Sequence, residues 1–494
     1  MTSTRRLGRG LGALGALALS LSPTTASAQA PPLSESIAIG AWTFRPSFEL
    51  RLRGEYRRDP IDVGGVIPET TAVLAEADAA PRPTTDPVTN QWRIAERARL
   101  GLAVDRGPVT GVLVLQDARS WGVAQDVGSG RGSADVFPAA GEPELPSFAP
   151  FEAYIDVHSR KGRPVFLRIG RQKIVWGEGR LLGVSDWSAT ARSFDGARFG
   201  FQVADIDIEL LAALVSVPGT VVDSTSVNAA GETKVSTSDG TGSQLYGLHA
   251  AWHLVPLLNI EITGLGRIVR EPHPRSLTPG DTFVIDARFS GDRRGLRYSL
   301  EGAYELGRVA TVLDNRDLSA FAAAARVELE TALPWHLTFG VQGAYASGDD
   351  GPLEPTATQH RFDPIFPEQH DNHGMMDLYA WSNLLEAGAN IAARPADELH
   401  LGIGYRFVGL AEPKGQWTTA ALTPVGSSPT NTSRILGHEI DATIGIIPWS
   451  PVRFDVGYGL FALGEGGKNI VRDAQRSAST LHHFGYLQAT VRAP

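Results

Sequence analysis

The chain of 494 residues lacks both cysteine and an excess of positive charge. Without cysteine it can form neither a disulfide bond nor a thiolate metal site, and it has no cysteine nucleophile. Its formal net charge of −9 at pH 7 argues against nucleic acid as a partner, because phosphate contacts need a basic surface. It also has no nucleotide-binding glycine-rich loop, so the energy for any transport must come from other proteins.

Long hydrophobic runs are missing as well. One apolar run, residues 11–21, follows three arginines among the first nine residues and precedes the small residues 26–28. This order is typical of a bacterial secretory signal, so we predict a signal peptide over 1–28 and a single domain over 29–494. The run is shorter than the roughly 20 residues that a membrane-spanning helix needs, and no later segment is long enough. The sequence therefore excludes a helical membrane protein.

What the chain does contain is a series of short stretches in which apolar and polar residues alternate. Residues 48–53 read Phe-Glu-Leu-Arg-Leu-Arg, and similar alternation recurs at 337–345, 399–407 and 452–460. A strand with one apolar and one densely charged face does not fit a soluble core. It fits a wall with lipid on one side and water on the other. The pattern predicts an all-β fold, a transmembrane antiparallel β-barrel.

The spacing of the alternating stretches predicts about eighteen strands joined alternately by short turns and long loops. Such barrels keep short turns on the periplasmic side and long loops outside. We therefore expect the chain in the outer membrane of a Gram-negative cell, with both termini periplasmic. The strand cores are predicted at 44–57, 91–104, 109–122, 150–158, 163–173, 193–203, 205–217, 243–254, 257–270, 281–289, 294–304, 320–330, 335–346, 378–392, 397–408, 436–447, 451–462 and 480–491.

Tryptophans provide an independent check on this topology. Two aromatic girdles are expected where a barrel crosses the two membrane interfaces. A soluble β-sandwich or β-helix is the alternative, but no repeat of fixed period supports a solenoid. One predicted girdle, beside the short turns, contains Trp42, Trp252, Trp335 and Trp449, and the other contains Trp92, Trp121 and Trp381.

One segment also resembles a known family. Residues 167–201 resemble the alginate-export family of outer-membrane proteins, and shorter similar segments lie at 97–102, 116–119, 152–154 and 437–441. The resemblance implies a monomeric eighteen-stranded barrel that passes an anionic exopolysaccharide outward through a charged lumen, supplied by a periplasmic export scaffold. The matching pieces of the central segment are 170–172, Gly177, 179–180, 186–187 and 193–196.

Arginines are the predicted substrate-binding residues of this lumen, because a guanidinium group can bind a carboxylate through two parallel hydrogen bonds. Arg51, Arg53, Arg97 and Arg99 form the strongest set, since these four exceed the acidic residues near them on neighbouring strands. The alternative is structural, with inward acids on other strands pairing with the arginines. The predicted residues are Arg51, Arg53, Arg97, Arg99, Arg119, Arg168, Arg171, Arg198, Arg288 and Arg406.

The sequence thus predicts a channel for an anionic exopolysaccharide, an alginate-like polyuronate, through an arginine-lined lumen. A general or small-anion-selective porin on the same barrel is the alternative. The tight turn at 447–451 leaves no room for a periplasmic gate, so we expect the gate within 123–149 or 174–192. The histidine-containing stretch 360–373 is expected to be a solvated external loop rather than a metal site. No catalytic residue or cofactor is predicted, because no strained nucleophile motif occurs.

Overall fold

The fold is an eighteen-stranded antiparallel β-barrel, as the alternation predicts. The computed structural model describes residues 36–58, 90–121, 148–159, 165–216, 219–227, 233–240, 243–255, 257–269, 280–310, 315–350, 358–474 and 479–493. The predicted signal peptide, 1–28, lies outside them and stays a prediction. No helix among the described residues is long and apolar enough to cross a membrane.

Each barrel strand is hydrogen-bonded to its neighbours in the chain, and the first strand pairs with the last, for example Leu50 with Val491, so the sheet closes on itself. The strands are β1 Trp42–Arg58, β2 Asn90–Arg106, β3 Val109–Trp121, β4 Phe148–His158, β5 Val165–Gln172, β6 Phe194–Val203, β7 Ile206–Ser216, β8 Ser243–Val255, β9 Leu258–Val269, β10 Gly280–Arg293, β11 Leu296–Ala310, β12 Asn315–Glu330, β13 Thr338–Ala346, β14 Leu384–Ala396, β15 Leu399–Gly409, β16 Ile435–Trp449, β17 Val452–Leu463 and β18 Leu481–Ala493.

Side chains on the outer and inner faces of the barrel wall differ in their exposure. On β18, Leu487 is 59% exposed on the outer face, whereas the neighbouring Tyr486 is buried inside. Trp92 and Trp449 are exposed at opposite strand ends, in agreement with two girdles. The prediction for Trp381 was wrong, since this residue is buried in a loop folded into the barrel.

Smaller elements decorate the barrel. The helix begins after Gly464 and buries Ile470 and Val471, with Glu465 in its first turn and Arg472 in its last. These end charges complement the helix dipole. The smaller elements are a strand Ile37–Ile39 paired with β1, the hairpin Gly219–Val227 and Thr233–Gly240, the hairpin Trp417–Thr418 and Pro424–Gly426, the 3-10 helix Pro334–His336 and the helix α1 Glu465–Asp473.

The buried apolar core lies inside the barrel rather than between sheets. It is built by three long-side connections that fold inward: L3 (173–193, between β5 and β6), L7 (358–383, the described stretch before β14) and L8 (410–434, between β15 and β16). L3 contributes Leu182 and Trp187 to this core, and L7 contributes Phe362 and Trp381. The lumen is therefore filled by loop residues between the strands.

Candidate functional site

The most heavily built part of the lumen is where L3 meets β1. Arg51 donates through Nη1 to the carbonyl oxygen of Asp186 at 2.7 Å. Through Nη2 it donates to the carbonyl oxygens of Trp187 at 3.1 Å and Ser188 at 2.7 Å. Arg53 donates to the carbonyl oxygen of Trp187 at 2.8 Å, and its guanidinium carbon lies 3.8 Å from the centre of the Trp187 ring. Two inward arginines of one strand thus hold three successive carbonyl groups of L3.

The carboxylate of Asp186 is held by the next strand. Arg97 on β2 contacts both of its oxygens, at 3.0 Å and 3.1 Å, and Arg99 contacts Oδ1 at 2.9 Å. Burial would raise the pKa of Asp186, but the guanidinium groups of Arg97, Arg99 and Arg51 lower that pKa well below its usual range. Glu49 on β1 holds Arg97 from another side at 2.6 Å. The site is therefore a buried carboxylate-binding cluster whose occupant belongs to the chain itself.

L3 is in turn joined to L7 by a short ladder of backbone hydrogen bonds. Gly183 donates to the carbonyl oxygen of Phe366 at 2.8 Å, and Phe366 donates to that of Leu181 at 2.9 Å. Glu368 donates to the carbonyl oxygen of Gly179 at 2.8 Å. Gly179 has φ of +73°, a conformation that favours glycine and lets L3 turn back on itself. The two loops behave as one plug because their backbones are paired.

The side chain of Glu368 is enclosed by this junction. Its Oε1 accepts a hydrogen bond from the backbone of Val184 at 2.6 Å, and its Cγ lies 2.6 Å from where a Cβ on Gly183 would be. Burial, and secondly the charge of Asp371, raises the pKa of Glu368 to about 8. Arg192 opposes that shift and donates to the carbonyl oxygen of Gly183 at 2.9 Å. The junction thus contains a carboxyl group whose pKa lies well above its usual range.

L7 docks on carboxylates of three wall strands. The backbone of Asp363 donates to Glu305 on β11 at 3.0 Å, and that of Met376 donates to Glu439 on β16 at 3.0 Å. Nδ1 of His373 lies 2.8 Å from Glu386 on β14. These three contacts join L7 donors to wall carboxylates, whereas β1 and β2 hold the Asp186 segment of L3 mainly through arginines.

Comparison with known proteins decides the family. The family model described as alginate export matches residues 84–481, which is most of the chain. The chain belongs to this family. No curated protein sequence matches it.

Solved structures agree on the fold. Similar chains include OccK11 (OpdR) of Pseudomonas aeruginosa, at 12% identity and a TM-score of 0.50 over 91% of this chain and 96% of that one. OccK2 (OpdF) of the same organism, solved in complex with glucuronate, is 9% identical with a TM-score of 0.52, over 91% and 98% of the two chains. OccAB4 of Acinetobacter baumannii is 11% identical with a TM-score of 0.50, over 91% and 98%. This alginate export family member is an outer-membrane β-barrel channel.

Four other predicted arginines of the alginate export barrel line its lumen, and each forms an ion pair with a carboxylate of the wall. Arg168, Arg198 and Arg406 have wall carboxylates as their partners, whereas Arg288 also contacts Glu178 of L3. The structural alternative predicts such pairs between inward arginines and acids of the wall. A role of these four arginines in substrate binding therefore stays a prediction. The pairs are Arg168 with Asp156 at 2.6 Å, Arg198 with Glu209, Arg288 with Glu261, and Arg406 with Asp441.

The two remaining predicted arginines do not reach the lumen. Arg119 is 55% exposed on the outer face near the long-loop end of β3, where it pairs with Asp117. Arg171 lies outward on β5 and pairs through two hydrogen bonds with Asp195. Every second residue of each strand faces the lipid. Arg119 and Arg171 both lie at lipid-facing positions of their own strands. The barrel therefore places both of them apart from any lumenal ligand.

The histidine-containing stretch 360–373 folds into the barrel apart from His360, which is exposed, so the expectation of a solvated external loop was wrong for the other two histidines. His370 and His373 are buried, and the ring of His370 stacks on Trp187 with 3.8 Å between ring centres. Among the described residues, no three His, Asp or Glu side chains form a group that could hold a metal ion.

Sequence reasoning identified the four central arginines but missed their partner. L3 was named as one of two candidate gates, and the structure places it inside the lumen, whereas most of the other candidate, 123–149, lies outside the described residues. The available signal was composition: Trp176, Leu181, Leu182 and Trp187 occur within one connection, and a loop surrounded by water has no use for four large apolar side chains.

Proposed function

We propose that this channel conducts an anionic polysaccharide, an alginate-like polyuronate, across the outer membrane. The observation that carries the proposal is the convergence of Arg51, Arg53, Arg97 and Arg99 on one carboxylate and three carbonyl groups where L3 meets β1 and β2. A wall that already binds a carboxylate group in its lumen has the chemistry to bind those of a polyuronate.

A polymer path needs many contacts of moderate strength, because one tight site would stall the chain. Arg168 and Arg198 provide further guanidinium groups on β5 and β6, each moderated by a wall carboxylate. Tyr154 and Phe166 flank Arg168, at 4.3 Å and 6.0 Å from its guanidinium carbon. The OccK2 structure was solved in complex with glucuronate, a uronate monosaccharide, which is consistent with this ligand class in a barrel of similar fold.

We propose that both termini face the periplasm and that the barrel acts as a monomer. Trp42 at the start of β1 and Ala493 at the end of β18 lie on the side of the tight turns, such as the one between Arg106 and Val109. A periplasmic export scaffold would then deliver the polymer to the short-turn side, and the polymer would leave past the long loops. The chain itself would supply a selective path without an energy source.

A small-anion porin is the second candidate, and the filled lumen favours it. L3, L7 and L8 place buried side chains inside the barrel, so a path beside them suits a monosaccharide better than a polymer. A small-anion porin predicts that glucuronate crosses the membrane of liposomes that contain the barrel, whereas a mannuronate hexamer does not. The polymer conduit predicts that both cross.

The test is single-channel recording of the refolded barrel in a planar bilayer, with ion selectivity measured before and after addition of a mannuronate hexamer. Arg97→Ser should lower anion preference and weaken block by the hexamer. Arg308→Ser is the matched control, because Arg308 is a largely exposed arginine at the outer rim, paired with Asp317. Equal effects of the two substitutions, or block by maltohexaose as strong as by the uronate, would refute an arginine-based polyuronate path.

A further inference from the structure

The contact between Asp186 and β2 has the features of a bound ligand. The carboxylate comes from a loop, enters a buried cluster of guanidinium groups and is held through both of its oxygens. Arg97 and Arg99 belong to the rigid wall, whereas Asp186 belongs to L3. A ligand of this kind can leave while the site that binds it stays in place.

The cluster offers more donors than Asp186 uses. Nη2 of Arg99 and Nη2 of Arg53 are buried and have no hydrogen-bond partner among the described residues. Arg99 gives Asp186 one nitrogen, Nη1, and its guanidinium carbon lies 3.8 Å from the centre of the Phe151 ring. A buried donor without an acceptor is costly, so the site is incompletely satisfied by the tethered carboxylate. A free carboxylate, which no loop restrains, can accept hydrogen bonds from both Nη1 and Nη2 of Arg99.

The segment that carries Asp186 is also under backbone strain. Ser185 has φ of +49° and Ala191 has φ of +55°, both in the left-handed region that disfavours residues with a Cβ. These two residues bracket the part of L3 that the arginines hold. Strain of this kind persists only while surrounding contacts enforce it, so loss of the arginine contacts would favour release of the segment.

We propose that Arg97 and Arg99 form a carboxylate-binding subsite that Asp186 occupies while the lumen is closed, and that a uronate carboxylate of the polymer displaces Asp186 as the lumen opens. This inference rests on the proposed function and names the subsite at which the polymer first binds. One carboxylate leaves and one enters, so the charge at Arg97 and Arg99 is unchanged and neither is left buried without a partner. Arg51 and Arg53 give up the carbonyl groups of the released segment in the same step. Glu49 stays on β1 and holds Arg97 in place during the exchange.

A thiol-labelling experiment reports the displacement directly. The chain has no cysteine, so Ser188→Cys provides a single thiol on the held segment, where Ser188 is 2% exposed. In the closed state this thiol should react slowly with a water-soluble maleimide. Addition of a mannuronate hexamer should accelerate labelling about tenfold, in proportion to the fraction of released L3, whereas maltohexaose should not.

Removal of the internal carboxylate is the complementary test. Asp186→Asn should raise the basal labelling rate of Ser188→Cys and lower the apparent dissociation constant of the hexamer about tenfold, because no internal competitor remains. Asp186→Glu restores a carboxylate and should restore slow labelling. Asp195→Asn is the matched control, since Asp195 is an arginine-bound carboxylate on the outer face. Heat-modifiable migration in gel electrophoresis verifies that each barrel is folded.

The outcomes separate this inference from the proposed function. Hexamer block of the channel without any change in labelling, in either the parent or the Asp186→Asn background, would overturn the exchange and leave the conduit standing. If the hexamer accelerates labelling but Asp195→Asn changes that acceleration as much as Asp186→Asn does, the assignment of the subsite is overturned. If the hexamer neither blocks the channel nor accelerates labelling, both proposals are overturned together.

Discussion

Protonation of Glu368 is expected to control how firmly L3 and L7 stay joined. This side chain is enclosed between Gly179 and Gly183, and accepts a hydrogen bond from Val184. Burial raises its pKa to about 8 from the ordinary value of 4.5. Asp371 and Asp186 add to the increase, and Arg192 opposes it. Replacement by glutamine would keep the shape and the hydrogen-bonding capacity of the protonated form and remove the titration.

The magnitude follows from the two pKa values. Below pH 4.5 the carboxyl group is protonated whether or not the loops are joined, so its contribution to docking is fully present. Between pH 4.5 and about 8 the released group ionises while the docked one keeps its proton, which weakens docking by about 1.4 kcal/mol per pH unit. Above pH 8 the loss is complete, at about 5 kcal/mol.

The assay is the open probability of single channels between pH 5 and pH 9. From pH 6 to pH 8 the ratio of open to closed states should rise up to about a hundredfold and then level off. Glu368→Gln should flatten this part of the profile. The histidines of L7 are present in both proteins, so the difference between the two profiles isolates Glu368. Parallel profiles in parent and variant would refute the reasoning.

Further predictions concern the same junction and the membrane face. Gly183→Ala should raise open probability at pH 6, because its Cβ would lie 2.6 Å from the Cγ of Glu368; an unchanged recording would contradict this. Arg192→Gln should reduce hydrogen-exchange protection of L7 by about 1–3 kcal/mol, since Arg192 donates to the carbonyl oxygen of Phe366 at 2.8 Å. Leu487→Arg, in the lipid-facing middle of β18, should destabilise the barrel by about 2–4 kcal/mol in urea unfolding from vesicles, and equal stability would place this residue away from lipid.

The sequence predicts the barrel because each strand has lipid on one face and water on the other. This difference imposes an alternation of apolar and polar residues within each strand. All eighteen predicted strands are present, and most of their bounds differ by a few residues. The largest differences arise where loops depart from the wall. β14 begins at Leu384 rather than 378, since 378–383 fold inward with L7, and β11 continues to Ala310 beyond the predicted 304 because its alternation weakens near the rim.

The plug is not readable in the same way, because its contacts join residues far apart in the chain. Arg51 and Trp187 are separated by 136 positions, and Gly183 and Phe366 by more than 180. Alternation correctly placed Arg51 and Arg97 toward the lumen, yet it carries no information on what fills that lumen. Every residue has a backbone carbonyl group, so the amino-acid sequence does not indicate which carbonyl group an arginine binds.

The chemistry of each loop contact decides whether a polyanion can replace it. L3 is held by arginines, whose donors are the groups that a carboxylate ligand seeks. Part of L7 is held by carboxylates such as Glu305 and Glu439, which accept from backbone N–H groups. An anionic polymer cannot replace those carboxylates, and it is repelled by them. We expect a polyanion to compete first for the arginines of β1 and β2 that hold Asp186, while the contacts of L7 with Glu305 and Glu439 persist.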